Sequence, residues 1–93
     1  MRSKLYIVLL GVGYNRDKLT EYLSSTDISD FWFYNMPYSI FIKTRLTPTQ
    51  LSGMIQSRFG KHFIFITEVT RNTDGLLNKD QWDLILKYRD YDV

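Results

Sequence analysis

The chain has 93 residues and no cysteine, which excludes disulfide bonds and metal sites built on sulfur. Its single histidine excludes a histidine cluster, and its formal net charge of +2 permits contact with nucleic acid without requiring it. This length predicts one domain spanning residues 1–93, and the aromatic content of 16% favours large contact areas in the core and at interfaces.

Hydrophobic periodicity and capping residues predict the order strand, helix, strand, strand, helix, strand. Asn15 is the expected N-cap of the first helix, which ends at Ser24-Ser25. Thr47-Pro48-Thr49-Gln50 is a capping box that begins the second helix, and Gly60 ends it. The strands are predicted at residues 4–10, 30–35, 38–44 and 62–70.

This order predicts an α+β, ferredoxin-like fold, in which both helices cover one face of a four-stranded antiparallel sheet. Residues 71–93 form a C-terminal extension, with an extended piece at Leu76-Leu77 and a last helix capped by Asn78. We expect this extension to cross to a partner subunit or to wrap the sheet edge.

The strands are apolar on both sides, as His62-Phe63-Ile64-Phe65-Ile66 illustrates. Successive side chains of a strand point to opposite faces, so both faces of this sheet need a cover. The helices cover one face, and a second copy of the chain is the simplest cover for the other. We therefore predict a homodimer. Exposed rings could instead stack on RNA bases, and the dimer core is the preferred interpretation. The predicted interface residues are Trp32, Phe41, Phe63, Phe65, Leu76 and Leu77.

In this topology one rim of the sheet collects the end of the first strand, the start of the first helix, the end of the second helix and the start of the fourth strand. The candidate nucleic-acid-binding residues on that rim are Arg16, Lys18, Arg58 and Lys61. Ordinary solvated surface is the alternative interpretation. Gly11-Val12-Gly13 is a candidate anion-binding loop, with a strand–helix turn that needs a positive φ as its alternative.

The C-terminal half carries a resemblance. Its segments Ile64-Phe65-Ile66-Thr67-Glu68-Val69, Asp74-Gly75-Leu76-Leu77 and Lys79-Asp80-Gln81-Trp82 resemble the SinR-like family. That family is similar to the small ferredoxin-like subunit of CRISPR spacer acquisition. The resemblance implies a homodimer whose sheets pack face to face, with the segments after the sheet exchanged between subunits.

The resemblance also implies an alternative activity, metal-dependent endoribonuclease cleavage centred on an Asp that closes the first strand. Here Gly11-Val12-Gly13 closes that strand, and no Asp or Glu precedes Asp17. We therefore expect no catalytic residues, no metal and no cofactor. The chain is expected to be a cytoplasmic, non-membrane binding protein. It would contact nucleic acid or, as a phage or plasmid accessory factor, inhibit or adapt a partner protein.

Overall fold

A computed structural model describes residues 3–89 of the chain. The fold is α+β, with one four-stranded antiparallel sheet in the order β2-β3-β1-β4. This arrangement confirms the predicted fold class. Residues 90–93 of the predicted extension lie outside the described part. The elements are β1 (Lys4–Leu10), α1 (Arg16–Ser25), β2 (Phe31–Phe33), β3 (Ser39–Thr44), α2 (Pro48–Phe59), β4 (Ile64–Glu68) and α3 (Lys79–Arg89).

The predicted caps begin both helices that follow the first and third strands. The Asn15 side chain accepts a hydrogen bond from the Lys18 backbone N–H at 3.1 Å. Thr47 and Gln50 form the complete capping box, with reciprocal bonds of 3.1 and 3.0 Å. These side chains satisfy N–H groups that a helix start leaves without a partner, so short local sequence fixes where each helix begins.

Two strands are shorter than predicted by more than one residue. β2 covers only Phe31–Phe33, and β4 covers Ile64–Glu68 rather than residues 62–70. Just before β4, the His62 backbone N–H donates to the hydroxyl of Tyr14 at 3.1 Å.

The main core lies between the sheet and helices α1 and α2. Val8, Ile40 and Ile42 are fully buried at the centre of the sheet. From the helices, the buried residues of this cluster are Leu19, Leu23, Leu51 and Ile55. Apolar residues spaced three or four apart put one face of each helix against the strands.

A second core lies on the opposite face of the same sheet, under α3. Ile85 packs there with Leu5, Phe33 and Phe41, and the Tyr88 ring stacks on Phe31 with centroids 4.4 Å apart. The expectation that a second copy supplies the cover of this face is corrected here, since α3 of the same chain covers much of it. Trp82, Ile85 and Tyr88 recur every three residues, which gives α3 the apolar stripe that this position needs.

Part of the second face stays uncovered. Leu9 and Phe65 are cross-strand partners, and they are 45% and 62% exposed. Phe63, which precedes β4 on the same face, is 93% exposed. We call these three residues the open strip. None of the helices between residues 3 and 89 is long and apolar enough to cross a membrane.

Candidate functional site

The two glycines after β1 allow a close approach of the segment before β4. The Gly11 N–H donates to the Phe63 carbonyl at 2.8 Å, and a Cβ on Gly13 would lie 2.1 Å from Nδ1 of His62. Among the described residues only Gly60 has a positive φ, of 97°. A positive φ is therefore not what requires Gly11 and Gly13, and that expectation is wrong. The Gly11 amide is already bonded, so it is not free to hold an anion.

Tyr14 holds the same junction together from the inside. Its hydroxyl donates to the Gly60 carbonyl at 2.8 Å and accepts the His62 N–H at 3.1 Å. Its ring meets the His62 ring edge-on, with centroids 4.9 Å apart. The start of α1 is thus tied to the segment between α2 and β4. Nothing in the local sequence indicates partners so distant in the chain, so these contacts could not be predicted from it.

Arg16, the first predicted nucleic-acid-binding residue, is occupied within the protein. Its Nη1 donates to the Met36 carbonyl at 2.5 Å, and its guanidinium lies 3.6 Å from the centroid of the Tyr34 ring. A planar guanidinium is well suited to stack on a ring while donating hydrogen bonds. Arg16 therefore joins the start of α1 to the turn between β2 and β3.

Lys18, Arg58 and Lys61 are the exposed cations of the predicted rim. Lys18 and Arg58 line one shallow groove between α1 and α2, together with Glu21 and Tyr22. Lys61 lines a neighbouring groove with Gly11, Gly13, His62 and Phe63. Within the described residues, none of the three cations forms an ion pair.

The rim also carries exposed aromatic rings near the end of β1. Phe63 lines the same groove as Lys61. The carbonyl of Tyr38, an exposed residue, accepts a hydrogen bond from the Leu10 N–H at 2.7 Å. Cations and accessible rings therefore occur together at this end of the sheet.

The residues predicted for the dimer interface divide into two groups. Trp32 packs against the main core, while Phe41 and Leu77 belong to the core under α3. These three side chains are packed within the protomer. Phe63, Phe65 and Leu76 remain exposed, and Leu76 is 98% exposed.

An apolar cleft lies where the segment before α3 crosses the second face. The cleft separates that segment from the sheet. Its apolar lining residues are Ile7, Met36, Phe41, Val69, Leu76, Leu77, Trp82 and Ile85. These residues come from three separate parts of the chain, which explains why no single motif predicted the cleft.

The carboxylates considered for the endoribonuclease alternative lie apart in the fold. Asp17 is in the first turn of α1, where the positive end of the helix dipole stabilises a negative charge. Glu68 ends β4 and forms an ion pair with Lys4 at 3.7 Å. Burial raises the pKa of Tyr6, and the Glu68 carboxylate raises it further. In residues 3–89, no group of three or more His, Asp or Glu side chains is arranged to hold a metal ion.

Comparison with protein-family models, with curated proteins and with solved structures finds no match to this chain. The resemblance to the SinR-like family therefore stays a prediction.

Proposed function

We propose that this chain is a homodimeric, cytoplasmic binding protein that contacts single-stranded nucleic acid and performs no catalysis. One observation carries the proposal. Lys18, Arg58 and Lys61 are exposed without an ion pair in the described chain, on the same rim as the 93% exposed ring of Phe63. Proteins that bind single strands combine cations that follow the phosphates with rings on which the bases stack.

The charges of the rim fit a phosphate backbone. Each exposed cation that neutralises a phosphate releases counterions, which favours binding at low salt. Glu21 lines the groove of Lys18 and Arg58, and its negative charge partly offsets theirs. The groove of Lys61 is lined by no carboxylate, so its positive charge is not offset in this way. Lys61 is also the cation beside Phe63, where a base could stack while its phosphate meets the ammonium group.

A homodimer would strengthen such binding. Two rims in one particle double the number of phosphate contacts available to a single strand, and the second contact becomes intramolecular. Leu9 and Phe65 support self-association, since they leave adjacent apolar side chains open on the sheet.

A protein partner is the second candidate, and the apolar cleft is the observation that favours it. Leu76 is almost fully exposed at the mouth of this cleft, and Trp82 and Ile85 line its floor. Apolar anchors that enter such a pocket dominate many protein interfaces. An inhibitor or adaptor of another protein would use this cleft rather than the basic rim.

The test is fluorescence anisotropy with a labelled oligouridylate and a labelled oligothymidylate at increasing salt. We expect binding that weakens steeply as salt rises. Phe63→Leu, which keeps an apolar side chain but removes the ring, should weaken binding by at least fivefold, as expected for the loss of one stacked base. No binding to either strand at low salt would reject the proposal, and salt-insensitive capture of a protein would support the second candidate.

A further inference from the structure

The outer edge of β4 presents backbone groups that no strand of the described chain pairs. The register pairs Phe65 with Leu9, and the ladder continues through Gly11 N–H to Phe63 O at 2.8 Å and Val69 N–H to Leu5 O at 2.7 Å. Backbone bonds alternate along an antiparallel strand. The odd-numbered residues of β4 therefore bond to β1, and Ile64, Ile66 and Glu68 direct their N–H and C=O groups outward.

This edge lacks the usual protection of an edge strand. Proteins blunt such edges with very short strands, with lysine or proline, or with a covering element. The other edge, β2, is only three residues long. β4 has five residues, contains no lysine or proline, and carries the exposed Phe65 beside its central residue, Ile66.

The groove beside this edge is free of charge. It runs between β4 and α2, and every residue that lines it is uncharged: Pro48, Thr49, Ser52, Gly53, Gln56, Ile64, Phe65 and Ile66. A neighbouring strand could enter without burying a charge, which would be costly. The helix side of this groove is open at Gly53, where a Cβ would meet nothing within 4 Å.

We propose that the occupant is β4 of a second copy of this chain, paired antiparallel about a twofold axis at Phe65. This inference rests on the homodimer of the proposed function and specifies its interface. Ile64 of each copy exchanges backbone hydrogen bonds with Ile66 of the other. Both sheets then form one continuous sheet, with the helices of both copies on matching faces.

Side chains support this register. Phe65 meets Phe65 of the second copy, which extends the apolar pair of Leu9 and Phe65 into a row across the axis. Glu68 lies opposite His62 of the second copy and beside its Lys61, so charges of opposite sign approach at both ends of the interface. No pair of like charges is brought together.

The arrangement also agrees with nucleic-acid binding. Edge-to-edge pairing adds strands at the side of the sheet and leaves its second face open. Phe63 therefore stays accessible beside Lys61. Face-to-face packing of the two sheets, which the family resemblance implies, would instead cover that ring.

Single cysteines test the register, because the chain has no cysteine of its own. Phe65 forms a non-hydrogen-bonded pair across the axis, where Cα atoms are about 4.5 Å apart, within the range of a disulfide. We expect Phe65→Cys to form a covalent dimer under mild oxidation at micromolar concentration. Thr67→Cys is the matched control on the same strand face. Its two copies would be about 13 Å apart along the strands, too far to link.

A third arm mixes Phe63→Cys with Thr67→Cys, which lie opposite each other in this register and should link only as the mixed pair. Unlinked Phe65→Cys in a sample that sediments as a dimer would overturn the edge pairing and leave a homodimer joined elsewhere. Efficient self-linking of Thr67→Cys would also overturn it, because the register would be different. A wild-type monomer that still binds oligonucleotide would reject the interface while the nucleic-acid proposal survives.

Discussion

The ammonium group of Lys43 donates a hydrogen bond to the backbone carbonyl of Tyr88 at 2.6 Å. Lys43 is a buried residue of β3, and Tyr88 is in the last turn of α3. The last carbonyls of a helix lack partners within the helix and carry its negative dipole end. A strand lysine therefore caps the helix that covers its own sheet, which explains how a charged side chain tolerates this position.

Replacing Lys43 with methionine should destabilise the protein. Methionine keeps most of the side-chain volume but leaves the carbonyl of Tyr88 without this donor. We expect a loss of about 1–3 kcal/mol in the free energy of unfolding. Urea unfolding followed by circular dichroism measures it, and Lys87→Met, an exposed position on the same helix, is the control. Equal stabilities for the two variants would show that the Lys43 bond contributes nothing.

Tyr14→Phe should also destabilise the fold. The variant removes the hydroxyl that bonds both the Gly60 carbonyl and the His62 N–H. Both backbone groups then lose this hydrogen-bond partner. The expected loss is about 1–3 kcal/mol. Tyr38→Phe, at an exposed ring, should change the free energy of unfolding by less than about 0.5 kcal/mol. Amide hydrogen exchange at His62 provides a local check, since its protection should fall only in Tyr14→Phe.

Two glycine-to-alanine variants should change stability in opposite directions. A Cβ on Gly53 meets nothing and lies in the interior of α2, so Gly53→Ala should raise the free energy of unfolding by about 0.5–1 kcal/mol. A Cβ on Gly13 would overlap the His62 ring, so Gly13→Ala should lower it. Thermal unfolding of both variants measures the difference, and a stabilising Gly13→Ala would contradict the close packing of Gly13 on His62.

Local signals predicted the framework of this protein well. The capping side chains of Asn15 and Thr47 define helix starts by bonds to residues three positions away, so the sequence alone suffices to place them. The position of α3 was not predicted. The sequence contains the apolar stripe of Trp82, Ile85 and Tyr88, but such a stripe does not determine which surface the helix packs against. Only the fold shows that the second face of its own sheet is within reach.

The candidate site was predicted less completely, for a similar reason. Arg16 was predicted to bind nucleic acid, but a bond to the Met36 carbonyl and a stack on Tyr34 engage it within the protein. These partners are about twenty residues away and follow no motif. Lys18, Arg58 and Lys61 were predicted by topology alone, and the structure leaves them exposed.

Tyr6 should make the protein less stable at alkaline pH. Burial and Glu68 raise its pKa above the ordinary value of 10.0. As pH rises, the unfolded chain therefore loses this proton before the folded chain does. The contribution of Tyr6 is constant below about pH 10 and is lost as pH rises towards the folded pKa. Urea unfolding at pH 8 and above pH 10 should show a smaller alkaline loss for Tyr6→Phe than for the wild type. The same loss in both proteins would contradict the raised pKa.

The salt dependence of oligonucleotide binding by charge variants tests the central claim most directly. One variant carries Lys18→Gln, Arg58→Gln and Lys61→Gln, and its control carries Arg45→Gln, Lys79→Gln and Lys87→Gln, with the same change in net charge. If the rim binds the phosphates, the rim variant should lose affinity at least tenfold at low salt, and its log–log salt slope should fall by about 2. The control should bind as the wild type does. Equal binding by both variants, or equal losses, would contradict the account.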